Sequence, residues 1–316
     1  MGRFGTGHRL AGQQPQGFSE GRGGRHAATV GRTVKWLITG RNGQLGRCIT
    51  TLLSADRGAE VVALSREDLD IANQGQVERV LDDVAPNILV NAAAYTAVDA
   101  AEDDEDSASL INAVGPGFLA DACGQRGIRL VHVSTDYVFD GIASTPYLEG
   151  TAPDPQGAYG RTKLAGERAV LSAAPDALIV RTAWVFSEHG HNFLKTMLRL
   201  ADREELRVVD DQKGGPTDAL SLAHAICRGL DQGLTGIAHY TDGPACTWAD
   251  FAEEIFSVAY ELGLIKRRPT VRRISSKEFP SKVARPAYSV LANNRIDYHG
   301  DWRAGTRRVL EALAAG

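Results

Sequence analysis

The sequence predicts an α/β protein with a Rossmann-type, doubly wound parallel sheet and a smaller, interleaved C-terminal domain. From residue 34 onward, short β-rich runs alternate with segments whose apolar residues recur at helical spacing. The β-rich runs are almost continuously apolar, which is typical of parallel strands that helices cover on both faces. A glycine-rich turn directly after the first of these runs is the third observation.

The predicted elements of the first half alternate regularly. The first strand covers 34–39, and a helix follows the glycine turn and extends through Leu53. Pro86 ends a later helix, because proline removes a backbone donor and clashes with the preceding turn. The other predicted elements are strands at 61–64, 88–90, 129–133 and 177–180, and helices at 77–84, 107–125 and from about Tyr159 onward.

The second half is less regular and is punctuated by glycine and proline. We expect residues 33–185 to form mainly the Rossmann domain and residues 186–316 mainly the smaller domain, with segments near 206–245 returning to the Rossmann domain. The elements predicted here are helices at 192–203, 219–230 and 247–261 and short strands at 206–209 and 236–240.

Residues 1–32 precede every predicted element. They contain five arginines and nine glycines but a single acid, Glu20. The stretch has no apolar core, so it is not a secretory signal, and its glycines argue against the amphipathic helix of a transit peptide. We expect a disordered tail, or a translation start placed too far upstream.

Composition and charge exclude several functional classes. The 316 residues carry 35 Lys and Arg against 39 Asp and Glu, a net charge of −4, whereas general nucleic-acid binders are usually basic. No run of 18 apolar residues occurs, so the sequence predicts no transmembrane helix. The four cysteines form no C-x-x-C pair, which suits buried, reduced thiols. We therefore expect a cytoplasmic protein without nucleic-acid or membrane partners.

The turn at 40–46 has the spacing G-x-x-G-x-x-G and lies between a strand and a helix, the position of a phosphate-binding turn. Gly40 permits the tight turn, Gly43 lets a pyrophosphate approach the backbone, and Gly46 lets the helix pack close to the sheet. The helix N-terminus then offers free N–H groups to the anion. The sequence predicts a dinucleotide site.

The end of the second strand bears on the choice of dinucleotide. NAD-binding proteins usually carry an acid there, but this sequence reads Leu64-Ser65-Arg66-Glu67. A guanidinium at Arg66 favours a 2′-phosphate and hence NADPH, with NADH still possible; alternatively, Arg66 is a solvated loop residue. Asp70 and Ile71 follow at the position where adenine is commonly held.

The third strand ends in small residues. Ala93, Ala94 and Tyr95 would let the cofactor lie against the backbone, although a buried strand end also requires small side chains. Six acids follow within residues 99–106. They could suggest a metal site, but acids at the start of a helix are favoured by its dipole, and we expect a helix start.

Tyr159 and Lys163 lie four residues apart on a predicted helix, so both side chains can point at one site. A phenol with a pKa near 10 is a poor proton donor or acceptor at neutral pH, and a nearby ammonium should lower that pKa. Thr135, at the end of the fourth predicted strand, could orient a substrate oxygen. The alternative is a surface tyrosine beside an unrelated lysine. The sequence predicts that Thr135, Tyr159 and Lys163 are catalytic.

Several longer strings are similar to those of dTDP-4-dehydrorhamnose reductases, which belong to the extended short-chain dehydrogenase/reductases. The resemblance covers about residues 34–312. It is carried by 91–99 (NAAAYTAVD), 134–141 (STDYVFDG), 159–167 (YGRTKLAGE), 181–186 (RTAWVF), 192–197 (NFLKTM), 211–217 (DQKGGPT) and 285–291 (RPAYSVL).

The resemblance implies a reaction. NADPH, or NADH, would deliver hydride to C4 of dTDP-4-keto-L-rhamnose, the last step of dTDP-rhamnose synthesis for cell-wall or surface polysaccharide. Tyr159 would protonate the developing alkoxide, Lys163 would tune Tyr159 and bind ribose, and Thr135 would position the keto oxygen. The implied substrate-binding residues are Thr135, Asp136, Trp184 and Arg285, and Gly43, Gln44 and Leu45 would bind the pyrophosphate. Arg285 could instead form a structural ion pair.

The sequence departs from the family at its metal site. Some members carry a Glu just after the last turn glycine and another after Gly-x-Pro-Thr, for Mg²⁺. Those places read Arg47-Cys48 and Asp218-Ala219-Leu220 here. We therefore predict no protein-bound metal, and a dimer built around one is in doubt; a monomer and a homodimer both remain open.

Two other functions compete with the reductase. The regulatory subunit of methionine adenosyltransferase resembles the same family and keeps the dinucleotide fold for a partner interaction, although intact Thr135, Tyr159 and Lys163 disfavour such a role here. An epimerase or dehydratase acting on another nucleotide sugar is the second alternative. Those enzymes usually show an acid at the end of the second strand, so Ser65-Arg66 weighs against them.

Overall fold

The computed structural model describes residues 33–56, 58–279 and 282–316. Residues 33–316 form one compact unit. The predicted tail, 1–32, lies outside the described residues. Among the helices of the described part, none is long and apolar enough to cross a bilayer.

A six-stranded, wholly parallel sheet forms the centre of this unit. Its strands follow the order β2-β1-β3-β4-β5-β10, so the chain leaves β1 in one direction and later crosses to the other side. This arrangement confirms the predicted doubly wound α/β fold. The strands are β1 (Lys35–Thr39), β2 (Glu60–Leu64), β3 (Ile88–Asn91), β4 (Arg129–Thr135), β5 (Leu178–Thr182) and β10 (Gly236–His239).

Helices cover both faces of the sheet, because alternate strand residues point to opposite sides. On one face, Trp36 and Ile38 pack against α1 (Gln44–Asp56) and α8 (Ala219–Asp231). On the other face, Leu37 packs against three helices. These are α2 (Gln74–Val84), α5 (Gly115–Arg126) and α6 (Ala158–Ala173).

A second apolar core lies in the C-terminal half. Large side chains such as Phe251, Phe256 and Trp302 are buried in it. The elements around it are β6 (Val185–Phe186), α7 (Phe193–Leu200), β7 (Glu205–Val209), β8 (Lys213–Gly214), β9 (Thr217–Asp218), β11 (Cys246–Thr247), α9 (Trp248–Glu261), β12 (Thr270–Ile274) and α10 (Trp302–Ala315).

The chain passes between the two cores more than once. Strand β7 pairs with β12 beside the second core, whereas α8 packs on α1 and β10 joins the edge of the main sheet. The predicted helices at 192–203, 219–230 and 247–261 correspond to α7, α8 and α9. The division at residue 185 stays a prediction, because residues 33–316 behave as one unit.

The single helix predicted over 107–125 is wrong in detail. The structure has α3 (Val98–Ala101), α4 (Glu105–Ser109), a π-helical turn (Leu110–Val114) and then α5. Pro116 lies in the first turn of α5, where its missing N–H would otherwise bond back into the preceding turn. The acidic run behaves as expected for a helix start, since Asp104 caps α4 by accepting a hydrogen bond from the backbone N–H of Ser107.

Candidate active site

The glycine turn forms a tight cradle between β1 and α1. Gly40 has a φ of +72°, and a Cβ there would lie 2.8 Å from the backbone of Ala92 and Ala93. A Cβ on Gly46 would lie 2.2 Å from the carbonyl oxygen of Gly40. The N–H of Gly43 bonds that same oxygen at 2.9 Å. The first N–H groups of α1 have no partner within the helix, as at any helix start. This geometry fits a pyrophosphate at a helix N-terminus.

The two residues at the start of α1 have other partners. Leu45 is buried in the core. The Gln44 amide donates to the Val185 carbonyl at 3.2 Å and accepts from Ser187 Oγ and Asn192 Nδ2, at 3.0 and 2.8 Å. The side chain of Gln44 is thereby committed to the 185–192 segment. Its backbone N–H is the group that remains for the predicted pyrophosphate contact.

The end of β2 carries basic groups from two segments. Arg66 is exposed, so it is free to meet a ligand, but the structure also allows its alternative role as a solvated residue. Arg41, which the sequence reasoning missed, lies in the glycine turn and reaches the same strand end. It donates to the Ala63 carbonyl at 3.4 Å and lies 3.4 Å from the Asp68 carboxylate. Its position just after the first turn glycine was the available signal.

The other predicted cofactor residues lie at the ends of β2 and β3. Asp70 accepts a hydrogen bond from the N–H of Ala72 at 3.1 Å, and Ile71 is buried. Ala93 and Ala94 are half-buried beside the glycine turn. Tyr95 is held through its backbone, because the side chain of Asn112 in the π-helical turn bonds both its N–H and its carbonyl. Asn112, like Arg41, was not predicted from the sequence, and its role here is to position Tyr95.

The three predicted catalytic side chains converge at the end of β4. Thr135 is its last residue and donates to Asp136 Oδ1 at 2.9 Å. Its hydroxyl also hydrogen-bonds the half-buried phenol of Tyr159. One turn later on α6, Lys163 is buried and donates from Nζ to the Val133 carbonyl at 2.6 Å. The strand and the helix therefore present hydroxyl, phenol and ammonium to one place.

The pKa of Tyr159 contradicts the expectation that Lys163 lowers it. Loss of solvent raises the phenol pKa to about 12; the hydrogen bond with Thr135 opposes the rise, and the charge of Asp136 adds to it. The ammonium of Lys163 is directed to the Val133 carbonyl. Burial lowers the pKa of Lys163 itself to about 8, while Glu167 acts in the opposite sense. Tyr159 is therefore a protonated phenol at neutral pH.

Asp136 is buried next to this group, which supports its predicted place beside the substrate. Burial raises the pKa of its carboxyl to about 6, although hydrogen bonds from Ser289 and Thr135 oppose the shift. At neutral pH the carboxylate is ionised and accepts hydrogen bonds. It can therefore hold Thr135 in a fixed orientation.

Trp184 follows β5 with a φ of +46°, an unusual conformation for a bulky residue. Its indole stacks on Trp248 with ring centroids 3.4 Å apart and planes 8° from parallel. Gly214 lies against the indole of Trp184, and a Cβ on Gly214 would come within 2.6 Å of the ring. Trp248, at the start of α9, was not foreseen as a site residue.

A cavity of about 1130 Å³ opens beside Trp248. Its walls come from α7, β7 and residues that follow β12, and they include Arg203, Arg207 and Lys277. Of the predicted site residues, Arg285 is part of this lining, whereas Thr135, Tyr159 and Lys163 are not. Arg285 also lies 3.6 Å from the Asp99 carboxylate, so its alternative role in an ion pair has a partner, whereas the diphosphate contact stays a prediction.

Comparisons with known proteins decide the family. A family model described as "RmlD substrate binding domain" matches residues 34–315. A dTDP-4-dehydrorhamnose reductase of Aggregatibacter actinomycetemcomitans is 41% identical over 288 residues, which are 87% of this chain and 98% of that protein. The chain belongs to the dTDP-4-dehydrorhamnose reductase family. It is therefore an oxidoreductase by family.

Solved structures of this reductase family have the same fold. One from Clostridium acetobutylicum is 41% identical, with a TM-score of 0.83 over 89% of this chain and 99% of that one. One from Bacillus anthracis, in complex with NADP, is 36% identical, with a TM-score of 0.84 over 89% of this chain and all of that one. A UDP-glucose 4-epimerase of Thermus thermophilus is 20% identical and shares the fold alone, with a TM-score of 0.74.

The residues at the family's metal position do not fit Mg²⁺. Cys48, Glu188 and His189 bring their ligand atoms within 4.8 Å of one another. Burial and nearby carboxylates raise the Cys48 thiol pKa to about 12, so the thiol stays protonated, and Mg²⁺ prefers oxygen ligands. The guanidinium of Arg308 already bonds both oxygens of Glu188 and both of Asp218, at 2.7–3.2 Å. A cationic side chain thus stands where the acids would need a metal.

Proposed function

We propose that the chain reduces the 4-keto group of dTDP-4-dehydro-L-rhamnose to dTDP-L-rhamnose with NADPH, the last step of dTDP-rhamnose synthesis for cell-wall or surface polysaccharide. The observation that carries this proposal is the convergence of Thr135, Tyr159 and Lys163 at the sheet edge that also holds the glycine turn. Membership of the reductase family supports the substrate class.

The binding residues divide between the two cores. Gly40, Gly43 and Gly46 and the backbone of Gln44 and Leu45 would hold the pyrophosphate, and Arg66 and Arg41 would face the 2′-phosphate. Asp70, Ile71, Ala93, Ala94 and Tyr95 would line the rest of the cofactor groove. We propose that residues 33–185 serve mainly the cofactor and residues 186–316 mainly the nucleotide sugar.

When bound, NADPH supplies the hydride. Tyr159 donates its proton to the 4-keto oxygen as negative charge develops there, which a phenol with a pKa of about 12 can do throughout the physiological range. The single hydroxyl hydrogen of Thr135 is accepted by Asp136 in this structure, and on substrate binding it would turn to the same keto oxygen and orient it. Lys163 supplies a positive charge that favours the phenolate left on Tyr159 and offers N–H groups to the nicotinamide ribose.

The cavity beside Trp248 suits the nucleotide diphosphate of the substrate. Its basic lining residues would neutralise phosphate charge, and the half-buried indole of Trp248 offers an aromatic surface to a base. Arg285 lies between this cavity and the acidic run that begins at Asp99, and Trp184 joins the cavity to the end of β5. We propose that Arg285 contacts the diphosphate and that Trp184 contacts the deoxysugar.

A second substrate has a specific observation in its favour. A dTDP-4-keto-6-deoxy-D-glucose reductase of Streptomyces niveus is 44% identical to this chain over 275 residues, which are 86% of the chain and 91% of that protein. The two substrates share the nucleotide, the 4-keto group and the deoxy carbon. They differ in the configuration of the sugar ring, which the wall near Trp184 would read.

The test is an assay of NADPH oxidation by the purified chain with each of the two keto sugars. Faster turnover of dTDP-4-dehydro-L-rhamnose, with dTDP-L-rhamnose as product, is expected. NADPH binding without turnover of either sugar would overturn the proposal and favour a non-catalytic binding subunit. Because the four cysteines are buried and free, as suits a reducing compartment, we propose a cytoplasmic location, with a small-molecule substrate as the principal partner.

A further inference from the structure

A buried ion pair lies directly behind the catalytic side chains. Glu167 and Arg181 are each 1% exposed. Arg181 donates from Nε and Nη2 to the two carboxylate oxygens of Glu167, at 2.8 and 2.6 Å. Ser134 adds a third hydrogen bond, from Oγ to Glu167 Oε1 at 2.5 Å.

The position of Glu167 connects it to two groups of the site. It lies one helical turn after Lys163 on α6, so both side chains are on the same helical face. Its partner Ser134 immediately precedes Thr135 on β4, and the neighbouring Val133 supplies the carbonyl that Lys163 bonds. A single carboxylate therefore fixes the strand segment that carries Thr135, the partner of Tyr159, and Val133, the partner of Lys163.

The charges around Lys163 make Glu167 the important anion. On α6 itself the nearby titratable groups are Tyr159, a neutral phenol, and Glu167. From β4, His132 faces Lys163, and burial together with the lysine charge holds the histidine pKa well below its ordinary value, so it is neutral. From β5, Arg181 contributes a second buried cation. Glu167 thus bonds Arg181 directly and acts on Lys163 through its charge.

A buried ion pair of this kind is weak evidence for stability. Desolvation of two charges often cancels their attraction, and well-packed apolar residues of similar volume commonly do as well. The geometry therefore points to a role in the chemistry. Resting on the proposed reductase function, we propose that Glu167 is a positioning residue that keeps Lys163 charged and holds the end of β4 in place through Ser134, with Arg181 fixing its carboxylate.

The test is the pH profile of kcat for Glu167→Gln, measured with NADPH and the keto sugar. The amide keeps the shape of the carboxylate but loses its charge, so Lys163 should lose its proton at lower pH. The alkaline limb of the profile should move down by about 1–3 pH units, the usual effect of an opposite charge at close range. An alkaline limb that stays at the wild-type position would overturn the proposal.

Two further variants keep the test decisive. Glu105→Gln is the control, because it removes the exposed ion pair between Glu105 of α4 and Arg161 of α6, the helix that carries Glu167. This variant should leave the alkaline limb of the kcat profile unchanged. If Glu167→Gln does not fold, the double variant Glu167→Leu/Arg181→Met replaces the pair with apolar groups. It should show a smaller downward shift, because the repulsion between Arg181 and Lys163 is lost together with the carboxylate; a wild-type limb there would also refute the inference. Wild-type protein without any turnover would instead contradict the proposed function.

Discussion

The side-chain amide of Asn192 donates to Oε1 of Gln44 at 2.8 Å and so joins the start of α7 to the helix that follows the glycine turn. Gln44 begins the helix after the glycine turn. Asn192 caps α7 by accepting a hydrogen bond from the N–H of Lys195 at 3.0 Å. Because Phe193 and Met197 of α7 line the large cavity, this bond links the cofactor turn to the cavity wall.

We expect Gln44→Ala to uncouple the two sites. In the wild-type protein, NADPH should tighten the binding of dTDP by at least ~5-fold, the lower range of coupling between sites. In Gln44→Ala, the ratio of the dTDP dissociation constants without and with NADPH should approach one, because the amide that connects the turn with Asn192 is gone. Calorimetric titration of dTDP with and without NADPH measures the ratio. Equal ratios in the two proteins would show that the bond is structural.

The Tyr159→Phe variant should lose the proton donor and little else. We expect kcat to fall by at least ~10²-fold, the usual contribution of general acid catalysis, with the dissociation constant of NADPH nearly unchanged. Tyr147→Phe is a matched control, because its hydroxyl bonds Asp140 outside the catalytic group. Stopped-flow or steady-state NADPH oxidation provides the measurement. A near-normal rate for Tyr159→Phe would assign the proton to another group.

The wild-type reductase should lose activity as pH rises above about 8. The pKa of Lys163 is lowered to about 8 by burial, so the side chain is charged below that pH and neutral above it. The charge supports the phenolate of Tyr159, and its loss should depress kcat on the alkaline side. Lys163→Met should have a low kcat at every pH, and its kcat should show no further fall on the alkaline side. A wild-type kcat that is flat from neutral pH to beyond pH 9 would contradict the role of Lys163.

Arg66→Ala should discriminate between the two cofactors. The exposed guanidinium can pair with the 2′-phosphate of NADPH, which NADH lacks. Because hydrogen bonds to charged groups contribute about 1.5–3 kcal/mol, the KM for NADPH should rise by roughly 10-fold or more while that for NADH stays constant. If Arg66→Ala leaves both KM values unchanged and Arg41→Ala raises only the KM for NADPH, then Arg41 of the glycine turn makes the contact with the 2′-phosphate.

Arg308→Met should destabilise the protein, and chelation of metal should not. Arg308 bonds the carboxylates of both Glu188 and buried Asp218, so its removal leaves two acids close together. We expect a loss of about 2 kcal/mol in the free energy of unfolding, less than for a fully buried pair because Arg308 is partly exposed. Arg307→Met, which breaks an exposed pair with Glu261, should change the free energy of unfolding much less, because water screens exposed charges.

Urea denaturation compares the Arg308 and Arg307 variants. In the wild-type reductase, the catalytic rate should persist in EDTA, because the acids are already neutralised by a side chain. A rate that falls in EDTA and recovers with Mg²⁺ would show that the cation is required after all.

The sequence predicted the fold and the convergence of Thr135, Tyr159 and Lys163 because the relevant signals are local. The glycine turn, the apolar strands and the Tyr159–Lys163 spacing each lie within one or two adjacent elements. The short strand β12 and the final helix α10 were not predicted, since neither carries such a punctuated signal. The π-helical turn before Pro116 was also missed, because its stabilising contact is the bond between Asn112 and distant Tyr95.

The features of the site that the sequence did not predict depend on contacts between distant residues and on burial. The stack of Trp184 on Trp248 joins residues from two different elements, and the Gln44–Asn192 bond joins residues 148 positions apart. The pKa of Tyr159 was predicted in the wrong direction, because spacing shows that Lys163 can face the phenol but does not show how deeply the site is buried. Burial, rather than the neighbouring charge, determines that pKa.

Trp184 and Gly214 restrict how this chain can evolve. The indole occupies the space that any side chain at 214 would need, and the left-handed backbone at 184 already limits which residues are tolerated there. A change at 214 is therefore damaging unless 184 becomes smaller in the same lineage. Residues 184 and 214 should therefore change together during evolution. A new sugar preference that depends on a different residue at 184 would require one of a few compatible double substitutions.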